Sequence, residues 1–295
     1  MIDTPEIRRL GIIAGSGPLP FCVLEEAKLR RIPVSLAAIK EETSPEIAKF
    51  ISQLGNEVSL RWIGVGQLGK LLRFFKKDQV DKAVMVGQVK HVRIFAPGSH
   101  NPFAKIRQVP DLKMIKLLSS LKRKDTSSLI GGVIAMIEKE GIEFLDSSIL
   151  LRRLLADVGV LTRRAPTEQE KKNIDYGHKI AKEIARLDIG QTIVVKSQAV
   201  VAVEAMEGTD SAILRASELV EGEPLTVVKV SRPQQDMRFD LPVLGLRTLE
   251  VTKKCNVTAL AVDAGKTLII EKPEFLERAD ESNLSVVGLE PNEEN

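Results

Sequence analysis

The sequence predicts two domains: an α/β domain built on a parallel sheet, followed by a domain in which strands cluster together. The chain has 295 residues, which is more than a single hydrophobic core usually supports. Its first half alternates short apolar runs with helical segments, and this βαβ pattern is typical of a parallel sheet covered by helices. Near residues 141–166 the alternation gives way to closely spaced strands, so we place the domains at residues 1–145 and 146–295.

The elements of the first half follow from apolar periodicity. Strands are predicted at four apolar runs: Leu10–Ala14, Pro33–Ile39, Val58–Trp62 and Val80–Val86. Helices are predicted where apolar residues recur at helical spacing: Phe21–Arg30, Pro45–Leu54, Gly66–Lys77, Thr126–Glu140 and Ser148–Asp157. The alternation of these elements predicts a sheet with helical crossovers.

The second half begins with a predicted helix at Thr167–Leu187, in which Thr167 and Glu170 have the spacing of a capping box. Two apolar runs, Gln191–Val195 and Ala199–Ala205, are separated by three polar residues and predict a hairpin. Further elements are predicted from the same periodicities: a helix at Ser211–Leu219 and a buried strand at Leu225–Val230.

Composition excludes several classes of protein. A formal net charge of +3 argues against broad binding of nucleic acid. Cys22 and Cys255 are far apart and form no CxxC pair, which fits a reducing cytoplasm. The three histidines lack zinc-ligand spacing, so any metal is expected to be a hard cation on oxygen ligands. The N-terminus has no signal-peptide pattern and no apolar run is long enough to span a bilayer, so we expect neither secretion nor a membrane span.

A glycine turn follows the first predicted strand in the stretch L-G-I-I-A-G-S-G-P-L-P. Gly15, Ser16 and Gly17 could let a phosphate approach the backbone at the start of the next helix. The alternative is that the glycines only permit tight packing of strand and helix. The second strand runs into Lys40 rather than an acidic residue, which disfavours NAD.

The segment Asn101–Lys124 is locally basic and carries apolar residues at roughly helical intervals. Such a segment could lie near anionic lipid headgroups or steer a phosphorylated substrate. The alternative is an ordinary solvated helix with one buried stripe.

Two polar clusters mark the second half. Glu204, Glu207 and Asp210 surround the turn Gly208-Thr209 where a strand gives way to a helix. This is a plausible place for Mg²⁺ or a hydroxyl-rich sugar, with helix capping by Thr209 or Asp210 as the alternative.

The second cluster is the stretch Ser231–Pro242, which directly follows the buried strand. It holds two carboxylates and two guanidinium groups, Asp236, Asp240, Arg232 and Arg238. Arginines and a carboxylate-held divalent cation can neutralise a pyrophosphate before a nucleophile attacks, whereas the alternative is a surface loop with incidental ion pairs. Two such clusters in one domain favour a shared site, with Mg²⁺ on Asp240, Asp236, Glu204 and Asp210.

Four motifs together resemble the UDP-2,3-diacylglucosamine pyrophosphatases of the LpxI type. They are the glycine turn above, D-I-G-Q-T-I-V-V at Asp188–Val195, V-V-A-V-E-A-M-E-G-T-D at Val200–Asp210, and Q-D-M-R-F-D-L-P-V-L-G at Gln235–Gly245. The resemblance runs from about Leu10 to Leu289. It implies a Rossmann-like N-terminal domain, a distinct α+β C-terminal domain, and Mg²⁺-dependent hydrolysis of UDP-2,3-diacylglucosamine to UMP and 2,3-diacylglucosamine 1-phosphate in lipid A biosynthesis of Gram-negative bacteria.

The resemblance also implies site residues. Catalytic roles fall on Asp240, Asp236 and Arg238, with Asp240 the preferred indispensable carboxylate. Substrate-binding roles fall on Gly15, Ser16, Gly17, Lys90, Asp125, Gln191, Glu207, Gly208, Thr209 and Arg232. The family pattern changes at residues 87–92, where the basic role is left to Lys90 or His91, and at residues 123–126, where only Asp125 matches.

The resemblance further implies a cytoplasmic protein that could contact the inner membrane from its surface, because the substrate is a lipid. The sequence leaves the oligomeric state open, a homodimer included. Two other functions also remain open: a non-catalytic carrier of a nucleotide-linked lipid, and a nucleotide-dependent oxidoreductase or sugar-nucleotide transferase.

Overall fold

The computed structural model describes residues 6–55, 57–89, 110–121, 126–232, 236–239 and 241–290, without the side chains of residues 126 and 127. It divides into two compact units. The first unit comprises residues 1–151 together with 237–239, and the second comprises residues 152–236 and 240–295.

The described part of the first unit contains a parallel sheet of five strands in the order β3-β2-β1-β4-β5. The strands are β1 Leu10–Ala14, β2 Val34–Ile39, β3 Val58–Ile63, β4 Lys82–Val86 and β5 Glu143–Phe144. The central strand β1 and its neighbour β2 are buried along their whole length, as expected when helices cover both faces. The order reverses between β1 and β4, and the predicted Rossmann-like sheet is confirmed.

Helices connect these strands. They are α1 Leu19–Leu29, α2 Glu46–Leu54, α3 Leu68–Lys77, α4 Leu112–Ser120 and α5 Thr126–Glu138. α3 buries Phe74 and Phe75 in a core shared with α4 and α5. Asp111 caps α4, since its carboxylate accepts from the N–H of Met114 at 3.0 Å and from the N–H of Gly69 at 2.6 Å. α4 covers part of the predicted basic segment, whose residues 101–109 and 122–124 lie outside the described residues.

The helix predicted at Ser148–Asp157 is not formed. Two short 3-10 segments stand there instead: Ser147–Leu150 and Arg152–Leu154. Leu155 pairs with Leu268 in an isolated antiparallel bridge, and the N–H of Ala156 donates to the carbonyl of Thr267 at 2.9 Å. These pairings need extended backbone, so tertiary hydrogen bonding overrides the helical spacing of the leucines.

In the described residues of the second unit, six strands form a mixed sheet in the order β6-β13-β11-β9-β7-β8. They are β6 Gly159–Val160, β7 Thr192–Lys196, β8 Ala199–Val203, β9 Leu225–Lys229, β11 Val257–Asp263 and β13 Ser285–Leu289, with β10 Val243–Leu244 and β12 Leu268–Ile269 paired separately. β7 and β8 form the predicted hairpin. This sheet and its helices confirm the α+β domain.

Helices pack on both faces of this sheet. They are α6 Glu168–Arg186, α7 Thr209–Leu219, α8 Leu246–Lys254 and α9 Lys272–Glu281. α6 begins with the predicted capping box of Thr167 and Glu170. One core lies between α6 and the sheet, and a second contains residues of α7, α8 and α9. No helix in the described ranges is both long enough and apolar enough to cross a bilayer.

Candidate functional site

Polar residues of the second unit gather at one edge of its sheet. β8, β9, β11 and β13 run in the same direction, because β7 is antiparallel to both β8 and β9, and β9, β11 and β13 pair in parallel. Glu204 follows β8, Ser231 lies two residues beyond β9, and Asp263 ends β11. Ligands of α/β sheets commonly bind outside the carboxyl ends of strands, so this edge is the candidate site.

The pleat of the strands divides this edge between two faces. Val228 lies in the core against α6, whereas its neighbour Val227 lies in the core with α7. Side chains two residues apart share a face, so Lys229 points to the α7 side and Asp263, like Ala261, to the α6 side. We call the α7 side the Glu204 cluster (Glu204, Thr209, Lys229, Thr192) and the α6 side the Asp263 cluster (Asp263, His178, Lys182, Ser231).

Thr209 is the centre of the Glu204 cluster. Its hydroxyl donates to Oε1 of Glu204 at 2.9 Å and accepts from Nζ of Lys229 at 2.7 Å, and the hydroxyl of Thr192 lies 3.3 Å away. Glu204 is only 8% exposed. Its second oxygen, Oε2, is buried and has no hydrogen-bond partner among the described residues, and the same holds for Oε1 of Gln191.

Buried polar atoms in proteins are nearly always paired, so each of these two oxygens indicates a position where a ligand donor or cation would be favourable. Gln191 and Thr192 begin β7, directly beside the end of β8 that carries Glu204; the N–H of Glu204 donates to the carbonyl of Thr192 at 2.9 Å. The structure therefore brings together two of the sequence-predicted residues, Glu204 and Thr209. Gln191 lies two residues before Ile193 of the α6-side core, so its side chain faces the other side of the sheet.

The other predicted residues of this turn make separate contacts. Glu207 accepts from the N–H of Ala205 at 3.0 Å and from Arg215 at 2.8 Å. Hydrogen bonds from its own N–H and from Arg215 lower the pKa of Glu207. Gly208 precedes α7 with a φ of +85°, a conformation that favours glycine.

Asp210 is engaged at the start of α8. Its carboxylate accepts from the hydroxyl of Thr248 at 3.0 Å and lies 3.1 Å from Nε of Arg247. Asp210 therefore contacts α8, whereas Glu204 contacts the Thr209 hydroxyl. The two carboxylates make different contacts although they are only six residues apart in sequence.

In the Asp263 cluster every carboxylate oxygen is satisfied. Oδ1 lies 3.2 Å from Nε2 of His178, and Oδ2 accepts from Nζ of Lys182, from the N–H of Ser231 and from the hydroxyl of Ser231, each at 2.7 Å. Asp263 and Ser231 are both fully buried. Burial by itself would raise the pKa of Asp263, but the hydrogen bonds from His178, Lys182 and Ser231 together hold that pKa well below its usual range.

The polar stretch Ser231–Pro242 leaves β9 from this edge. Arg232 has its Nε 3.2 Å from a carboxylate oxygen of Asp188, the second residue past α6. The structure describes Asp236 and residues 237–239, whereas Asp240 lies outside the described residues.

Residues 237–239 belong to the first unit. The hydroxyl of Ser147 lies 2.9 Å from the carbonyl of Arg238 and 2.8 Å from the carbonyl of Met85. The guanidinium of Arg238 lies 3.6 Å from Glu138, and Phe239 packs against the core around α3 and α5. Arg238 and Phe239, within the polar stretch, therefore make their described contacts inside the first unit.

The glycine turn of the first unit lies at the reversal point between β1 and β4. The N–H of Ser16 donates to the carbonyl of Gln88 at 2.7 Å, and a Cβ at Gly15 would lie 2.4 Å from that oxygen. The requirement for glycine at position 15 thus comes from close approach of the loop after β4. Gly17 has a φ of +89°. Pro18 and Pro20 lack an N–H, which reduces the number of donors that the start of α1 can offer an anion.

Three predicted site residues lie outside the described residues: Lys90, Asp125 and Asp240. The same holds for His91, the alternative to Lys90. Their roles remain predictions.

Comparisons with known proteins identify the family. A family model described as the LpxI N-terminal domain matches residues 9–154, and one described as the LpxI C-terminal domain matches residues 157–287. The chain belongs to the LpxI family. A curated relative from Caulobacter vibrioides, named UDP-2,3-diacylglucosamine pyrophosphatase LpxI, is 29% identical over 297 aligned residues, covering 97% of this chain and 99% of that protein.

Among solved structures, this LpxI-family chain matches the binary complex of leucoanthocyanidin reductase and NADPH from Vitis vinifera. The identity is 15% and the TM-score 0.27, over 45% of this chain and 47% of that chain. A similarity at this level supports no inference about fold or ligand.

The residues described for this LpxI-family chain include no group of three or more His, Cys, Asp or Glu side chains placed to hold a metal ion. The oxygen donors nonetheless suit a hard cation in one respect, since Oε2 of Glu204 is buried and lacks a partner within the described ranges. Asp210 fits less well because Arg247 and Thr248 already engage its carboxylate.

Sequence reasoning missed the Asp263 cluster and Lys229. Two signals were present: Asp263 ends the apolar run V-T-A-L-A-V-D, and His178 and Lys182 are four residues apart on one helix face. Their mutual contacts span 85 and 81 residues of sequence, so no local pattern shows that they meet.

Proposed function

We propose that this protein hydrolyses the pyrophosphate bond of UDP-2,3-diacylglucosamine, giving UMP and 2,3-diacylglucosamine 1-phosphate for lipid A biosynthesis. Family membership across both units supports the enzyme class, and the name of the Caulobacter relative supports the substrate. The observation that carries the proposal is the position of Ser231, where the polar stretch leaves β9 at the carboxyl edge of the sheet, bonded to Asp263 and two residues after Lys229 of the Glu204 cluster.

Asp240 is the proposed essential carboxylate, with Asp236 as its neighbour in orienting water or holding metal. A carboxylate can accept a proton from the attacking water as the bond to phosphorus forms. The choice of Asp240 over Asp236 rests on the family motif.

Arg232 and Arg238 are the proposed phosphate ligands, because a guanidinium can donate two parallel hydrogen bonds to phosphate oxygens. Their ion pairs with Asp188 and Glu138 involve side chains that are 36% to 78% exposed. Exposed ion pairs are worth only about 0–1 kcal/mol. A diphosphate, which carries more charge than a carboxylate, can compete with these two carboxylates for the arginines.

Mg²⁺ is the proposed cofactor, and Asp240 and Asp236 are its proposed ligands, with Glu204 and then Asp210 as further candidates. When bound, it would supply charge neutralisation at the phosphate oxygens. The unpartnered oxygen of Glu204 supports a cation or a ligand hydroxyl at this position.

Residues Gly15–Gly17, Lys90, Asp125, Gln191 and Glu207–Thr209 are the proposed contacts to the rest of the substrate. The position of the glycine turn at the reversal between β1 and β4 supports a nucleotide there. The occupied N–H of Ser16 limits that role to the remaining donors of the turn.

The proposal is tested by incubating the purified protein with UDP-2,3-diacylglucosamine, with Mg²⁺ or with EDTA, and measuring UMP. We expect release of UMP with Mg²⁺, loss of release with EDTA, and at least a thousandfold lower rate in Asp240→Ala. Asp280→Ala, which changes an aspartate of α9 bound to Arg163, serves as the matched control. Substrate binding without UMP release would indicate a non-catalytic carrier, and full activity in Asp240→Ala would remove the role given to Asp240.

A cytoplasmic location with contact to the inner membrane is proposed from the lipid nature of the substrate. α4 supports this, since Leu112 and Ile115 are 85% and 50% exposed beside Lys113 and Lys116. Co-sedimentation with anionic phospholipid vesicles is expected to weaken severalfold in Leu112→Ser/Ile115→Ser and to stay unchanged in the control Leu219→Ser, which alters an exposed leucine of α7.

A further inference from the structure

Ser231 is held through every polar group of its backbone and side chain. Its N–H and its hydroxyl both donate to Oδ2 of Asp263 at 2.7 Å, and its carbonyl lies 3.4 Å from Nζ of Lys182. Lys182 also donates to the same oxygen of Asp263 at 2.7 Å. The chain is therefore fixed in position and direction at the first residue of the polar stretch.

α6 provides the other side of this arrangement. His178 and Lys182 are four residues apart and face Asp263 together, and Asp188, just past the end of the helix, meets Arg232. α6 and the residues just after it thus hold two consecutive residues of the polar stretch: Lys182 contacts the carbonyl of Ser231, and Asp188 contacts Arg232. The direction in which Arg232 projects depends on both.

A chain leaving a strand does not require a buried charge. Taking a carboxylate out of water costs several kcal/mol before its hydrogen bonds compensate, and an apolar or amide residue would end β11 at lower cost. The network is placed at the carboxyl edge of the sheet, under the first residue of the stretch that carries Arg232, Asp236, Arg238 and Asp240. A costly network at that position is expected where geometry must be held closely for catalysis.

We propose that Asp263 is a positioning residue, which with Lys182 and His178 fixes Ser231 and thereby sets where Arg232 enters the site. This inference rests on the proposed hydrolysis of UDP-2,3-diacylglucosamine. Asp263 acts through Ser231 and touches no substrate, so its loss changes the rate of the reaction more than the binding of substrate.

The test compares Asp263→Asn, Ser231→Ala and their combination by the kcat and KM of UMP release, with the urea midpoint of unfolding measured in parallel. We expect kcat to fall at least tenfold in each single variant with KM within threefold of wild type. The double variant should fall no further than the lower single variant, because both changes break the same connection.

Glu170→Gln is the matched control. Glu170 is also a buried carboxylate of the second unit, held by Arg164 at 2.9 Å, but it closes the capping box of α6 instead of meeting the polar stretch. We expect it to lower the urea midpoint as the Asp263 variant does while kcat stays within twofold of wild type. Ser231→Ala removes one hydroxyl and keeps the test usable if Asp263→Asn does not fold.

The outcomes separate this inference from the proposed function. A wild-type protein that releases no UMP overturns the proposed function and with it the role of Asp263. An active wild type whose folded Asp263→Asn or Ser231→Ala variant keeps full kcat overturns the positioning role alone. An equal loss of kcat in Glu170→Gln would also overturn it, since any buried carboxylate would then have the same effect.

Discussion

Asp263 and Glu204 are both buried at the carboxyl edge of the second sheet, yet the two carboxylates have different surroundings. Asp263 has both oxygens bonded, with the side chains of His178 and Lys182 and both donors of Ser231 around it. Glu204 has one oxygen bonded to Thr209 and one that is buried without a partner among the described residues. The hydrogen bonding of Asp263 is thus satisfied within the protein, whereas one oxygen of Glu204 lacks a partner among the described residues.

This difference follows from the pleat of the strands. Asp263 points toward α6, a helix of 19 residues from which the side chains of His178 and Lys182 reach its carboxylate. Glu204 points toward the first turn of α7, where Thr209 is the nearest donor. A satisfied buried network gives a fixed geometry, and an unsatisfied acceptor favours a ligand that supplies the missing donor. We infer that the cluster on the α6 face positions the polar stretch, and that the cluster on the α7 face binds a ligand.

The largest expected effect is the loss of stability in Asp263→Ala. Lys182, His178 and Ser231 would lose a common acceptor, and breaking a buried charged network by removing one partner costs about 3–5 kcal/mol. Glu204→Ala should cost roughly 1–2 kcal/mol, because one hydrogen bond is lost and one unsatisfied oxygen disappears. Urea unfolding of both variants measures the difference, and equal losses would contradict the contrast between the two carboxylates.

The next effect concerns pH. The pKa of Asp263 is lowered in the folded protein, so its stabilisation is complete above the unfolded pKa of about 4 and is lost as pH falls below that value. Burial by itself would raise the pKa of Glu170, but hydrogen bonds from Arg164 and from the N–H of Thr167 lower it to about 2. Glu170 therefore adds a further loss of stability as the pH falls below about 4.5.

We therefore expect the free energy of unfolding to be nearly level from pH 7 to 5 and to fall from pH 4.5 to 3. The difference between wild type and Asp263→Asn should shrink over the same range, because the unfolded chain binds a proton at Asp263 as the pH falls through about 4 whereas the folded protein does not. Urea titrations at pH 7, 5, 4 and 3 give this curve. A difference that stays constant down to pH 3 would show that the charge of Asp263 does not contribute.

Sequence patterns predicted the parts of this structure that depend on neighbours along the chain. β1 lies at the predicted Leu10–Ala14, and Thr167 and Glu170 form the predicted capping box, because both depend on residues within one short segment. The pairing of β7 with β8 was predictable for the same reason.

The rest depended on distant residues. The Ser148–Asp157 prediction was wrong because Leu155 and Ala156 pair with a segment more than one hundred residues away. Glu204 and Thr209 were predicted at one turn from their spacing, but Lys229, which donates to the Thr209 hydroxyl, comes from another strand. Asp263 carried a visible signal as the acidic end of an apolar strand, and only the fold shows that Ser231 is its partner.

The smallest expected effect on stability is that of Glu204→Gln, and it separates binding from folding. The amide keeps an acceptor for the Thr209 hydroxyl, removes a buried charge and replaces the unpartnered oxygen, so the free energy of unfolding should change by less than about 1 kcal/mol in either direction.

Because the charged oxygen of Glu204 is lost, UMP release should fall at least tenfold if that oxygen meets a cation or a substrate hydroxyl. Glu218→Gln, which changes an exposed carboxylate in the last turn of α7, is the matched control and should keep the activity of wild type. Equal activity in wild type and Glu204→Gln would mean that the unpartnered oxygen serves no ligand, and the α7 face would then lose the binding role inferred for it.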